Sequence, residues 1–269
     1  MVGTVAVIGA GVIGGAIVKC LQESEEVDKV IATRRSLEGL KELKELGAEV
    51  TTDNRLAAGK ADVIFLCVKP ADVGSVLKGI EREVKGKLII STAAIIHLDY
   101  YKDAVPGARY VRTMPNIAAL ARESFTAYVC DPRVTAEDKA TVKTLLDTMG
   151  TSQEVEEKYM DAVTGLSGSG PAFVAIVIDA LMFAGLKVGL PRELSLRSAA
   201  QSVLGAAKLV LDGTMKPTEI AEMVTTPGGT TIDGIYEIED GKLRTALMNA
   251  VEAATKKSAS IHYKWENND

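Results

Sequence analysis

The chain has 269 residues, 47% hydrophobic and 25% charged, which suits a soluble globular protein of one large domain or two ordinary ones. A formal net charge of −5 gives it no general attraction for nucleic-acid phosphates or anionic membranes, so neither partner is expected. Two histidines, His97 and His262, and three separated cysteines, Cys20, Cys67 and Cys130, supply no metal-ligand spacing and no nucleophile motif. The histidines read as surface or loop residues, the cysteines as small buried hydrophobes in a reducing compartment.

In chain order, Thr4–Ile8 is the first strand pattern, with no basic leader ahead of it, from which a cytoplasmic location is expected. Gly9-Ala10-Gly11-Val12-Ile13-Gly14 follows directly and opens a helical pattern, Val12–Ser24. Gly9 permits a tight turn, Gly11 lets backbone approach a pyrophosphate, and Gly14 allows close helix–strand packing. The free N–H groups of the helix start then favour the phosphate charge. The next strand, Val30–Thr33, runs into Arg34-Arg35-Ser36, where an NAD site would place an acidic residue. Two guanidiniums, with the hydroxyls of Thr33 and Ser36, suit a 2′-phosphate. The sequence therefore predicts NADP(H), with NAD(H) as the alternative.

Strand patterns Glu49–Thr51, Val63–Val68, Leu88–Ser91 and Tyr110–Met114 continue the alternation with helical patterns Ser36–Leu46 and Ala71–Val84. This predicts an α/β fold: a Rossmann-type, doubly wound, mostly parallel sheet. Val68-Lys69-Pro70 and Thr92-Ala93-Ala94 follow strand ends and are expected to line the cofactor crevice.

After about Glu156 strand signals vanish, which divides the chain into an α/β domain, 1–158, and an all-α domain, 159–269. Pro171 and Pro191 sit where helices begin. Ala172–Leu186, which carries Asp179, reads as a buried helix too short to span a bilayer. Leu243, Leu247, Val251 and Ala254 mark one apolar face. Helices this apolar leave surface that either a partner subunit or the first domain covers. Two glycine-rich turns, Ser167-Gly168-Ser169-Gly170-Pro171 and Thr225-Thr226-Pro227-Gly228-Gly229-Thr230-Thr231, each precede a helical pattern. They read either as flexible loops or as helix starts whose N–H groups hold a carboxylate.

The run Ala162-Val163-Thr164-Gly165-Leu166-Ser167-Gly168-Ser169-Gly170-Pro171-Ala172, with Pro227-Gly228-Gly229-Thr230-Thr231, resembles the pyrroline-5-carboxylate reductase family. The N-terminal glycines, Val68-Lys69-Pro70 and Arg112-Thr113-Met114-Pro115-Asn116 agree in order and spacing, and the likeness spans the chain. The resemblance implies a Rossmann domain followed by a helical dimerisation domain, in dimers that assemble further, for example into decamers. It implies reduction of L-pyrroline-5-carboxylate to L-proline, the last step of proline synthesis. By resemblance the substrate carboxylate lies at Thr226, Gly229 and Thr230, Thr231 lies against the ring nitrogen, and Glu157 is near the product. Ser169, in the first of the two turns, is a candidate substrate-binding residue, and Asn54 with Thr92–Ala94 matches cofactor contacts. The chain departs at Met223, where Asn is frequent, and at Thr225 and Thr226, where serines are. Arg35 adds charge where members vary, so the resemblance leaves the cofactor preference open.

A cyclic imine protonates readily, and its iminium carbon accepts hydride without a strong general acid. A site lacking His or a Lys–carboxylate pair suits that chemistry, with Thr231 as the candidate catalytic hydrogen-bond donor. A β-hydroxyacid dehydrogenase would need a Lys in the helix after Pro171, and none occurs before Lys187. A non-catalytic nucleotide sensor would need only the first glycine motif.

Overall fold

A computed structural model describes residues 1–266, with side chains described through 261; the His262 side chain is outside the described residues. Successive side chains of a strand face opposite ways, and β1 (Val2–Ile8) shows the consequence. Val5 and Val7 enter one apolar cluster, Ala6 and Ile8 another, and all four are fully buried. A strand buried on both faces reads as a continuous apolar run, as Val63–Leu66 does.

The first part runs β1, α1 (Val12–Gln22), β2 (Val27–Thr33), α2 (Lys41–Glu45), β3 (Glu49–Thr51), α3 (Asn54–Lys60), β4 (Val63–Leu66), α4 (Val73–Ile80) and β5 (Leu88–Ser91). Then come α5 (Leu98–Ala104), β6 (Arg109–Met114), β7 (Ser124–Cys130), α6 (Ala136–Asp147) and β8 (Gly150–Glu154). One eight-stranded sheet has the order β3-β2-β1-β4-β5-β6-β7-β8, parallel except where β6 meets β7. Ile17 and Leu21 of α1 and Leu145 of α6 cover one face. Ala57 of α3, Leu77 of α4 and Tyr101 of α5 cover the other. The strand order reverses between β1 and β4, and a crevice opens beyond the carboxyl ends of strands at such a point.

The helical part comprises α7 (Met160–Val163), a π-helical segment Thr164–Gly168, α8 (Gly170–Lys187), α9 (Arg192–Leu211), α10 (Pro217–Met223), α11 (Thr230–Asp240) and α12 (Leu243–Glu266). By contact the chain divides into Met1–Ser169 with the stretch from Ala254, and Gly170–Ala253. Residues 159–169, which the sequence assigns to the all-α domain, group by contact with the sheet. Met160 is fully buried in a cluster with Met114 and Ala127, and Ser258 Oγ donates to Asp161 Oδ1 at 2.6 Å.

Two readings of the second half are corrected. Ser167–Pro171 is not a turn, because the π segment carries the backbone helically into α8. Nor is Ala172–Leu186 a short buried helix. Glu157–Lys187 is a helical run of 31 residues, long and apolar enough by length and composition to cross a membrane. Only Met182 of α8 is buried, while Ile176 is 68% and Phe183 52% exposed in the single chain. An apolar face of that kind needs a cover.

The cysteines form no disulfide. Cys20 is buried and Cys67 and Cys130 half-buried, and burial pushes the Cys67 and Cys130 thiols up to about 12. At the end of β7, Asp131 is 2% exposed and accepts from Arg133 N at 2.9 Å and Arg133 Nη2 at 2.6 Å. Burial raises its carboxyl pKa, but the Arg133 bonds together outweigh that and hold it below the ordinary value. A depressed folded-state value means stabilisation that is full above about pH 4 and lost as pH falls through the folded value. Asp131→Asn is expected to cost about 1–2 kcal/mol at pH 7 by urea denaturation, since the half-exposed guanidinium screens the pair. The difference should shrink below about pH 4.

Candidate active site

At the switch point, Ile8 ends β1 and Gly9 turns the chain with φ 94°, a conformation that favours glycine. A Cβ on Gly9 would meet Cys67 O and Val68 Cγ1, each at 2.8 Å. One on Gly14 would lie 2.4 Å from Gly9 O. A Cβ on Gly11 would meet nothing within 4 Å, which leaves that backbone open to approach from outside. Gly11 caps α1 without any side-chain hydrogen bond, so the first N–H groups of the helix remain donors for an anion.

A crevice of about 590 Å³ opens there, and Gly9, Gly11, Arg34, Arg35, Asn54, Val68 and Lys69 all line it. Ala10 and Val12 line an adjoining cavity of about 270 Å³ with Gly11 and Arg34. Ile13, Gly14, Pro70 and Thr92–Ala94 line neither. Thr92–Ala94 follows β5 in a segment where Ser91 Oγ accepts from Ala93 N at 3.2 Å and bonds the Tyr101 hydroxyl at 2.7 Å. Ile95 adopts φ 67°, an uncommon conformation for a β-branched residue.

The charged mouth of the crevice is partly built. Arg34 Nη1 donates to Gly39 O at 3.2 Å, and a Cβ on Gly39 would lie 2.3 Å from that nitrogen. A glycine at 39 thus makes room for the guanidinium. Arg35 is largely exposed, its Nη2 4.0 Å from Asp72 Oδ2. Thr33 does not offer its hydroxyl to a phosphate as the sequence suggested. It is buried and donates to Asn54 Oδ1 at 2.6 Å, which leaves the Asn54 amide NH₂ as a donor. Ser36 accepts from Glu38 N at 3.3 Å and keeps its own proton to give. Two cations and several neutral donors around a glycine turn can hold a dinucleotide carrying an extra phosphate. Thr52, Ser75 and Val76 also line the crevice; no motif marks them, only the topology.

A second group of residues lies past β5 and β6. Arg112 of β6 is 1% exposed and its Nη1 donates to Glu157 Oε1. His97 Nδ1 is 3.7 Å from the same oxygen, and Glu157 Oε2 is buried with no hydrogen-bond partner among the described residues. Burial pulls the Arg112 pKa down, while Tyr101 and Asp161 raise it. Ser169 donates both N–H and hydroxyl to Thr164 O, at 3.0 and 3.2 Å.

In the other unit, Thr225–Gly229 is a true turn, with Gly228 at φ 69°. Gly229 caps α11 with no side-chain bond, and its N–H donates to Thr226 O at 3.0 Å. Thr226 and Thr230 are exposed and Thr231 is half-buried at the helix start. The N–H groups of Thr230 and Thr231 therefore have no intrahelical partner.

Two family models match, one described as pyrroline-5-carboxylate reductase dimerisation over residues 157–261 and one as NADP oxidoreductase coenzyme F420-dependent over residues 4–95. The pyrroline-5-carboxylate reductase of Methanosarcina acetivorans is 41% identical over 262 residues, covering 96% of this chain and 97% of that protein. The solved structure of the Coxiella burnetii pyrroline-5-carboxylate reductase superposes with a TM-score of 0.88 at 30% identity, covering 95% and 97% of the two chains. The crystal structure of the Plasmodium falciparum pyrroline carboxylate reductase with NADP bound gives 0.87 at 29%, covering 96% and 98%. With relatives of this identity matched from end to end, the chain belongs to the pyrroline-5-carboxylate reductase family.

Proposed function

We propose that the protein reduces L-pyrroline-5-carboxylate to L-proline with NADPH, the last step of proline synthesis. The observation that carries this reading is kinship across both halves, nucleotide crevice and helical region together, with named reductases of that imine. The glycine cradle fits a dinucleotide because a Cβ at Gly9 or Gly14 would strike backbone while Gly11 stays open. Gly9 to Gly14 would hold the pyrophosphate, Arg34, Arg35 and Ser36 the 2′-phosphate, and Asn54 the adjoining ribose. Val68, Lys69, Pro70 and Thr92–Ala94 would border the rest. When bound, the cofactor supplies a hydride to the imine carbon.

The chain's own residues then bind and orient. The start of α11 holds the carboxylate through Thr230 and Thr231 N–H, aided by the helix dipole and the Thr226 hydroxyl. Gly229 contributes shape, because its N–H is already engaged within the turn. The ring nitrogen takes one proton from water as the iminium. Hydride addition at carbon leaves a neutral amine, whose new lone pair accepts from the Thr231 hydroxyl and then takes a second proton from water. By resemblance Glu157 and Ser169 belong to the substrate side; the Ser169 proton is spent on Thr164 O, which leaves its hydroxyl lone pairs as acceptors. No side chain needs to deliver a proton in a strong-acid step.

The exposed face of α8 fits a second copy, in line with the dimerisation description of this region. We read the assembly as a homodimer or a dimer-based oligomer such as a decamer, in the cytoplasm, with no nucleic-acid or membrane partner. The test of function is NADPH oxidation on addition of pyrroline-5-carboxylate, with proline identified as product. Turnover of 3-hydroxy acids in its place would favour the dehydrogenase reading.

A further inference from the structure

The Arg112–Asn116 motif has no part in the function so far, yet it reaches the helical run at two points. At one end, Arg112 holds Glu157 Oε1 from inside the sheet, and its near-complete burial fixes that carboxylate from the protein side. At the other end, Asn116 is 8% exposed and fully engaged. Its Oδ1 accepts from Ala118 N at 2.9 Å, and its N–H donates to Ser124 Oγ at 3.0 Å. Its Nδ2 donates to Ser167 O at 3.0 Å and lies 3.3 Å from Ser167 Oγ, which itself donates to Phe125 O at 3.2 Å.

Ser167 O needs that donor. In a regular helix it would accept from the N–H of residue 171, and Pro171 has none. The chain meets the break with the wider π turn, closed by Ser169 N on Thr164 O at 3.0 Å, and with the side-chain amide of Asn116. Single π turns of this kind concentrate at functional sites.

We propose that Arg112 and Asn116 are positioning residues for the reduction, a two-point clamp that fixes Glu157 and the π segment leading into Ser169 on the substrate side. This rests on the function proposed above, in which Glu157 and Ser169 belong to the substrate side. The two ends of the motif act on one segment, Glu157–Ser169, and neither lines the nucleotide crevice. The clamp therefore governs substrate and leaves cofactor binding alone.

The test compares steady-state kinetics, NADPH affinity by fluorescence titration and thermal midpoint in the full-length oligomer. Asn116→Ala should lower kcat/KM for the imine about tenfold or more while NADPH Kd stays within about twofold. Adding Pro171→Ala supplies the missing N–H to Ser167 O and should return the thermal midpoint. Activity should stay low, because an α turn replaces the π turn. Recovery of kcat/KM together with the midpoint would make Asn116 a structural staple and overturn the proposal, as would an equal loss of NADPH affinity. If Asn116→Ala does not fold, Arg112→Lys decides: it keeps the charge but loses the forked donor set. A drop of about threefold or more in kcat/KM at unchanged NADPH Kd supports the clamp, and unchanged kcat/KM overturns it. A wild-type protein that leaves the imine unreduced refutes the function and the clamp's role with it, whereas active variants beside an active wild type refute the clamp alone.

Discussion

Replacing both Arg34 and Arg35 with Ala should weaken NADPH binding about a hundredfold while leaving NADH binding within about twofold of the parent. A hydrogen bond to a charged group contributes about 1.5–3 kcal/mol, and two exposed guanidiniums in water fall at the low end of that range. Their sum is about 3 kcal/mol, or about two decades in Kd. The two residues do not contribute equally. Arg34 is held by Gly39 O over a residue with no Cβ, so it is already posed, whereas Arg35 reaches only Asp72 at 4.0 Å and is free to turn. Arg34→Ala alone should therefore take the larger share. Because the contact is between exposed charges, raising salt should weaken NADPH binding in the parent and have little effect on the double variant. Equal weakening of both nucleotides, measured by isothermal titration, would remove the pair from 2′-phosphate recognition.

Thr231→Ala should lower kcat by about tenfold to a hundredfold, the effect of losing one hydrogen bond made to the ring nitrogen as it becomes an amine. Thr231→Ser keeps the hydroxyl and should retain most of the activity. The prediction follows from place and chemistry together. Thr231 sits in the first turn of α11, where the N–H groups have no intrahelical partner, and its side chain is half-buried. If it acted only through the carboxylate, the loss would appear in KM with kcat intact. Stopped-flow single turnovers separate the two outcomes, and an unchanged kcat would exclude Thr231 from the transition state.

The sheet was legible where strands alternate with crossover helices, from β1 to β6. Glu49–Thr51 and Leu88–Ser91 are read from sequence with the bounds they have in the fold, and the other early strands differ only at their ends. β8 was not legible because its residues, Gly150-Thr151-Ser152-Gln153-Glu154, lie at the sheet edge and pair by backbone alone, which leaves no apolar pattern. β7 was missed beside it, although it is largely buried, because it runs antiparallel to β6 and falls outside the alternation of strand and crossover helix.

The crevice glycines carried their own reason in the sequence, since turn and close approach both demand them. The hydroxyl of Thr33 did not, because its partner Asn54 comes from a distant point of the chain. Ser167–Pro171 misled for a related cause. Serine, glycine and proline in series look like a loop until Asn116 arrives from the end of β6 to hold the Ser167 carbonyl. Composition also cannot say whether an apolar helix is buried by its own chain or by another, so Ala172–Leu186 read as core although the single chain leaves it exposed.

The central claim is that the hydride passes from the nicotinamide to the imine carbon of a five-membered ring. The direct measurement uses NADPH deuterated at both positions of the nicotinamide C4, with pyrroline-5-carboxylate, and mass spectrometry of the product. L-proline carrying one deuterium at C5 is expected, formed in step with NADPH oxidation. Proline without deuterium, or NADPH consumed with the imine intact, would contradict that claim.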